Sequence, residues 1–222
     1  MHLVMFDIDG TLVDSAGFDG ELYAEAVRSV LKVEVDRNWD AYEHVSDRGI
    51  LEQLLRDARF DGERAELAAR VQQRFVELVR AYLARQPAAV REIAGAKVLV
   101  DRLLSMPNVR VAVATGGWEP TALLKLRHIG IDAKQLGFAS SSDAPARVDI
   151  MRLAAQRAMR GAPVTRATYF GDGPWDRRAS AALGYDFVAV GAAVAHALTY
   201  ADLSAVDTIL AALGLASARR VS

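Results

Sequence analysis

From residue 96 onward, short unbroken apolar runs alternate with segments of helical periodicity, and this alternation constrains the fold more than any other feature of the chain. The runs are residues 109–114, 167–170 and 187–190, joined by 3–6 at the start of the chain and a weaker one at 136–139. Their lack of polar alternation is what a strand needs when helices cover both faces of its sheet. The helical patterns span residues 96–106, 119–128, 148–159, 175–183 and 206–213. Strand and helix repeated in this way predict right-handed βαβ crossovers and an α/β core built on a doubly wound, Rossmann-like parallel sheet.

Residues 15–94 break the pattern. Three stretches, 16–31, 47–58 and 63–85, carry apolar residues at spacings of three and four with Arg and Glu opposite, and no convincing strand interrupts them. Pro87 and the polar stretch after it read as a return linker. A chain of 222 residues is long enough for a core and a smaller insert. The expected organisation is therefore a catalytic core from residues 1–14 and 95–222, with an all-α cap domain, 15–94, inserted after the first strand. The Ala-Ser-Arg tail after Leu215 reads as a frayed terminus.

Composition narrows the function classes. The absence of cysteine removes disulfides, thiolate metal sites and a thiol nucleophile, and fits a reducing compartment. The 27 basic and 28 acidic residues are interleaved, with no basic stripe for a nucleic acid to follow. The N-terminal apolar run is cut by Asp7 and Asp9, so it suits neither a signal peptide nor a membrane span. The expectation is a cytoplasmic protein, monomer or homodimer, with no nucleic-acid or membrane partner. Gly171-Asp172-Gly173 lacks the third glycine of a dinucleotide fingerprint, and Gly116-Gly117 has no P-loop continuation. His2, His44, His128 and His196 show no metal-ligand spacing.

In open parallel sheets, ligands bind outside the carboxyl ends of the strands. Three apolar runs lead there into Asp7, Thr115 and Asp172, delivering acid, hydroxyl and acid to one edge. A phosphomonoester is anionic, so attack on it by a carboxylate requires positive charge to offset the repulsion. A hard cation such as Mg²⁺, which prefers oxygen ligands, meets that need.

The segments FDIDGTLVDS, VAVATGG, the Arg147 region and YFGDGPWD resemble, in order and along nearly the whole chain, the haloacid dehalogenase superfamily of phosphatases and phosphotransferases. The first and last are the specific motifs. The resemblance implies that Asp7 is a nucleophile forming an aspartyl-phosphate and that Asp9 protonates the leaving group and later activates water. It implies Mg²⁺ held by Asp7, Asp172 and the backbone carbonyl of Asp9, with Asp176 binding directly or through water. Thr115 and the Gly116 and Gly117 amides would bind the phosphoryl oxygens. The family usually places Lys as the charge-balancing cation; here Arg147 stands in the matching segment, with Lys125 and Lys134 as lesser candidates. Gly10 would allow a sharp turn and the Thr11 hydroxyl would hold it through local backbone.

Each residue also has a simpler reading. Asp7 and Asp9 could be solvated at a loop, Thr115 could be an N-cap, Asp176 could answer a helix dipole and Arg147 could be a solvated helix-start residue. Trp118 and Trp175 could wall a pocket or pack in a core. The insert resembles the helical caps of phosphoglycolate phosphatase-like members, where cap residues choose the leaving group. In the polar stretch His44, Ser46, Asp47 and Arg48, Arg48 could receive an anionic handle or simply be solvated. The favoured function is a Mg²⁺-dependent phosphatase acting on a small phosphorylated metabolite. A phosphomutase would share every core residue. A dehalogenase lacks the second acid that Asp9 provides, and a phospho-accepting receiver is shorter and has no place for the insert. A non-catalytic phospho-ligand-binding protein would have lost turnover while keeping the acids.

Overall fold

The computed structural model describes residues 1–15, 17–60 and 63–215. Six strands form one sheet: β1 (His2–Phe6), β4 (Val109–Ala114), β5 (Gly137–Ala139), β6 (Arg166–Gly171), β7 (Asp186–Val190) and β8 (Thr199–Tyr200). Their spatial order is β5-β4-β1-β6-β7-β8, and every neighbouring pair is parallel. The chain winds outward from β1 to β5 on one side, then crosses over to β6 and winds outward on the other. The topological switch therefore falls at β1.

The unbroken apolar character of β1 follows from this central place. Val4 and Phe6 join one core with Leu99, Leu103, Leu126 and Ile209, from helices α4 (Ala96–Leu104), α5 (Glu119–His128) and α8 (Val206–Ala212). Leu3 and Met5 face the opposite way, onto Ile150, Met151 and Ala154 of α6 (Arg147–Met159), in a core that also holds Ala179 of α7 (Pro174–Leu183). Each such side chain, fully buried, contributes about 1.5–3 kcal/mol relative to leaving it exposed.

The segment between β1 and α4 folds into α1 (Asp19–Leu31), α2 (Asp47–Asp57) and α3 (Arg64–Arg85). Leu67, Val71, Phe75 and Leu78 recur at helical spacing on α3 and pack with Tyr23, Val27, Leu51 and Leu55 in a separate cluster. Trp118, which follows β4, belongs to that cluster and stands 5.9 Å from Phe75 and 5.7 Å from Tyr23 between ring centroids. The α1 helix ends at Lys32, whose backbone turns left-handed at φ 59°. A two-residue antiparallel ribbon, β2 (Val13–Asp14) with β3 (Arg91–Glu92), joins the chain where it leaves for the helices and where it returns. Arg91 bonds Asp14 across it at 2.8 Å.

The expected strands and helices are present, with ends shifted by a few residues. The ribbon and β8 were not anticipated, because two residues carry no periodicity. Residue 16, where the first helical pattern was expected to begin, and the tail after Leu215 lie outside the described residues. No helix among the described residues is long and apolar enough to cross a membrane.

Candidate active site

The register of the three central strands assembles the site. Phe6 is level with Val113 on β4 and Phe170 on β6, so the residues that follow these strands emerge side by side at the switch point. Asp7 is fixed there by its amide, which donates to the Phe170 carbonyl at 2.9 Å. Carboxylate oxygens of Asp7, Asp172 and Asp176 lie within 4.8 Å of one another, which makes this group a candidate metal site. The chain can pass so close only because residue 10 is glycine: a Cβ there would stand 2.0 Å from Asp172 Oδ2, and φ is +75°.

Asp176 is fully buried. It accepts hydrogen bonds from the Gly173 amide at 3.1 Å and the Tyr169 hydroxyl at 3.3 Å, and Tyr169 also donates to the Ala114 carbonyl at 2.9 Å. Tyr169 was not foreseen as part of the site. Asp172 Oδ1 is buried with no hydrogen-bond partner among the described residues.

Arg147, in the first turn of α6, donates from Nη1 to Asp7 Oδ1 at 3.1 Å, and its Nε lies 3.5 Å from Asp176 Oδ1. Burial works against its charge, but Asp7 and Asp176 outweigh burial and hold its pKa above the usual arginine range. One guanidinium does not neutralise three acids. Burial pushes Asp7 well up; Arg147 opposes that, while Asp176, Asp172 and Asp9 add to it. Burial, then Asp176 and Asp9, push Asp172 up to about 7. An all-oxygen cluster with an orphaned buried carboxylate oxygen and unbalanced negative charge fits a hard divalent cation.

The side chain of Asp9 stands apart from that cluster. Its Oδ1 accepts from Lys125 Nζ at 2.6 Å and from the Ser15 hydroxyl. Its Oδ2 turns toward Gly117, 3.7 Å from where a Cβ on that residue would sit. Lys125 also lies 2.6 Å from Asp19 Oδ1 and has a side chain only 1% exposed. Burial opposes the lysine charge, but Asp19 and Asp9 outweigh it and raise its pKa above the usual range. Among the described residues, the acids that Lys125 pairs with are Asp9 and Asp19, whereas Arg147 is the cation paired with Asp7. Lys134 is exposed on a short turn of helix, away from the cavity lining.

Thr115 is buried after β4, and its Oγ1 accepts the Gly117 N–H at 3.1 Å. That amide must exchange this bond before it can serve a phosphoryl group. Helix α5 begins at Glu119, so Gly116 and Gly117 lie in the loop just ahead of it. The Trp118 amide donates to Asp47 Oδ2 at 2.8 Å, while Asp47 N–H donates to the Gly116 carbonyl at 2.8 Å. Burial and the neighbouring Asp19 push the Asp47 carboxyl up to about 8. Ser46 Oγ donates to the Pro145 carbonyl at 2.6 Å, so the start of α2 is fastened to the β4 and β5 loops.

One smaller expectation fails. Thr11 Oγ1 is buried without a hydrogen-bond partner among the described residues; the turn is held instead by backbone bonds from Thr11, Leu12 and Val13 to the Ile8 carbonyl. Of the two readings open for Arg48, the solvated one fits: it pairs with Glu52 at 2.6 Å, half exposed, and does not line the cavity. Trp118 packs in the helical core, whereas Trp175 lines the cavity. His2 is structural, its Nε2 lying 2.9 Å from Thr168 Oγ1.

A cavity of about 410 Å³ opens over Asp7, Asp9, Thr115, Arg147 and Asp172. Its far side is lined by Tyr23, Arg37, Trp39 and Asp47 of the helical segment. That size suits a small metabolite.

The sequence matches the family described as haloacid dehalogenase-like hydrolase over residues 1–184. No curated protein matches the chain. Among solved structures, a hydrolase from Pseudomonas syringae is 21% identical, with a TM-score of 0.72 over 98% of this chain and 100% of that one. A beta-phosphoglucomutase from Clostridium difficile is 16% identical, with a TM-score of 0.68 over 96% of each chain. A mutant of CbbY from Rhodobacter sphaeroides, in complex with xylulose-(1,5)bisphosphate, is 17% identical, with a TM-score of 0.67 over 91% of this chain and 95% of that one. At such identities these likenesses concern the fold.

Proposed function

Because the chain belongs to the haloacid dehalogenase-like hydrolase family, we propose that it is a metal-dependent phosphatase that hydrolyses a small phosphomonoester through an aspartyl-phosphate on Asp7. The observation that supports this reading is the different setting of two nearby carboxylates. Asp7 is ion-paired with Arg147 inside a three-acid cluster, while Asp9 lines the cavity outside that cluster with Oδ2 toward Gly117.

Mg²⁺ would be held by Asp7, Asp172 and the Asp9 backbone carbonyl, with Asp176 binding directly or through water. When bound, it supplies the positive charge that lets an anionic ester approach an anionic nucleophile. Arg147 keeps an Asp7 oxygen directed and balances phosphoryl charge as a planar fork. Thr115 and the Gly116 and Gly117 amides bind phosphoryl oxygens. An Asp7 oxygen attacks phosphorus, and the ester P–O bond breaks with its electron pair passing to the alcohol oxygen. That oxygen takes the proton from Asp9, leaving Asp9 as a carboxylate. Water then attacks the aspartyl-phosphate and gives a proton back to Asp9, which releases phosphate and restores Asp7.

In this reading residues 1–14 and 95–222 form the catalytic core and 15–94 a cap over the strand ends. The cap's Tyr23, Trp39 and Arg37 face the leaving group, where they exclude water and select the alcohol. The substrate is a small phosphorylated metabolite. The test is a panel of such metabolites, assayed for phosphate release with and without Mg²⁺. Release from one or more of them that stops with EDTA supports the reading; no release from any member, or release unaffected by EDTA, contradicts it.

A further inference from the structure

Residues 122, 126 and 129 turn α5 toward the core, and Lys125 sits on that same apolar face with a side chain only 1% exposed. An ammonium at such a position loses its hydration, and a buried ion pair can often be replaced by apolar residues without loss of stability. Stability therefore gives a weak account of why lysine stands here.

The contacts of Lys125 give a stronger one. Its Nζ lies 2.6 Å from Asp9 Oδ1 and 2.6 Å from Asp19 Oδ1. Ser15 donates to the same Asp9 oxygen, so Oδ1 is occupied twice. Oδ2, in contrast, lies toward Gly117, which lines the cavity together with Asp9. A carboxylate is symmetric in solution; here one oxygen is tied down and the other is presented.

We infer that Lys125, itself held by Asp19, is a positioning residue that anchors Asp9 through Oδ1 so that Oδ2 is the oxygen exchanging the proton with the leaving group and later with water. This rests on the reading of Asp9 as the proton-transfer group. Asp19 lies in the first turn of α1, so the anchor is complete only when the inserted helices are docked, and the aim of the core acid depends on the segment above it.

The test separates aim from folding by comparing two substrates on one preparation of each variant. p-Nitrophenyl phosphate releases a weakly basic anion that needs little protonation, whereas benzyl phosphate releases a strongly basic alkoxide. The ratio of their kcat/KM values, benzyl over p-nitrophenyl, does not depend on how much of the preparation is folded. A misaimed acid costs on the order of 100-fold in the step it assists, so Lys125→Met is expected to lower this ratio at least about tenfold. Asp19→Asn, which keeps the shape and loosens the lysine, should lower it in the same direction. Adding Lys125→Met to Asp9→Asn should lower it no further, because Lys125 acts through Asp9. An unchanged ratio in Lys125→Met, with Asp9→Asn still lowering it, makes the lysine merely structural and overturns the inference. An unchanged ratio in Asp9→Asn instead removes the proton-transfer reading beneath it.

Discussion

Arg147 Nη1 donates to Asp7 Oδ1 at 3.1 Å, a contact between residues 140 apart in the chain. The guanidinium is close enough to Gly116 that a Cβ there would stand 2.6 Å from Nη2, so the loop after β4 is shaped around it. A cation in this position serves both nucleophile and phosphoryl group. Removing one charge-stabilising donor from a site of this kind costs about 10²–10³ in kcat. Arg147→Ala should lose that much in steady-state assays, Arg147→Lys should recover part of it, and Lys134→Ala should stay near the parent. Equal losses in Arg147→Ala and Lys134→Ala would place the cation elsewhere.

Asp172 brings a buried, unpartnered oxygen to the acid cluster. Loss of an outer-shell partner alone costs about 10–100-fold in metal affinity, so Asp172→Asn, which removes a ligand, should weaken Mg²⁺ binding in calorimetry by at least that. The metal-free variant should be no less stable than the metal-free parent, because the substitution relieves repulsion from Asp176 and Asp9. Unaltered Mg²⁺ affinity would remove Asp172 from the ligand set.

Asp47 gives a pH signature outside the metal cluster. Its carboxyl rises from the ordinary 3.8 to about 8 on folding, so the folded protein holds this proton more tightly than the unfolded chain. Its contribution therefore favours folding fully below about pH 4 and is lost as pH climbs through about 8. Asp47→Asn keeps an acceptor for the Trp118 amide and cannot ionise. In urea titrations the stability of the variant relative to the parent should increase from pH 4 to pH 8 and then level off. A pH-independent difference would mean that Asp47 ionises as easily in the fold as in the unfolded chain.

The sequence made some of this architecture readable and hid the rest. The central strands could be seen because burial on both sheet faces removes polar residues from them, and Asp7, Thr115 and Asp172 could be placed together because each follows such a strand. Lys125 carries a sequence signal of burial: it shares the spacing of Ala122, Leu126 and Ile129 on the inward face of a helix. Asp19 carried none, since an acid in a helix's first turn is favoured by the dipole alone. The Asp47 contact with Trp118 joins residues 71 apart and exists only once α2 has docked on the β4 loop. Tyr169 was concealed within an apolar strand, where its hydroxyl reaches Asp176.

The central claim is covalent attack by Asp7, and the most direct measurement is mass spectrometry of protein acid-quenched during turnover with Mg²⁺ and a substrate from the panel. The account predicts a phosphoryl adduct on the N-terminal peptide at Asp7, enriched in Asp9→Asn if water activation slows more than attack, and absent from Asp7→Asn along with turnover. Normal turnover by Asp7→Asn, or an adduct on any other residue, would contradict it.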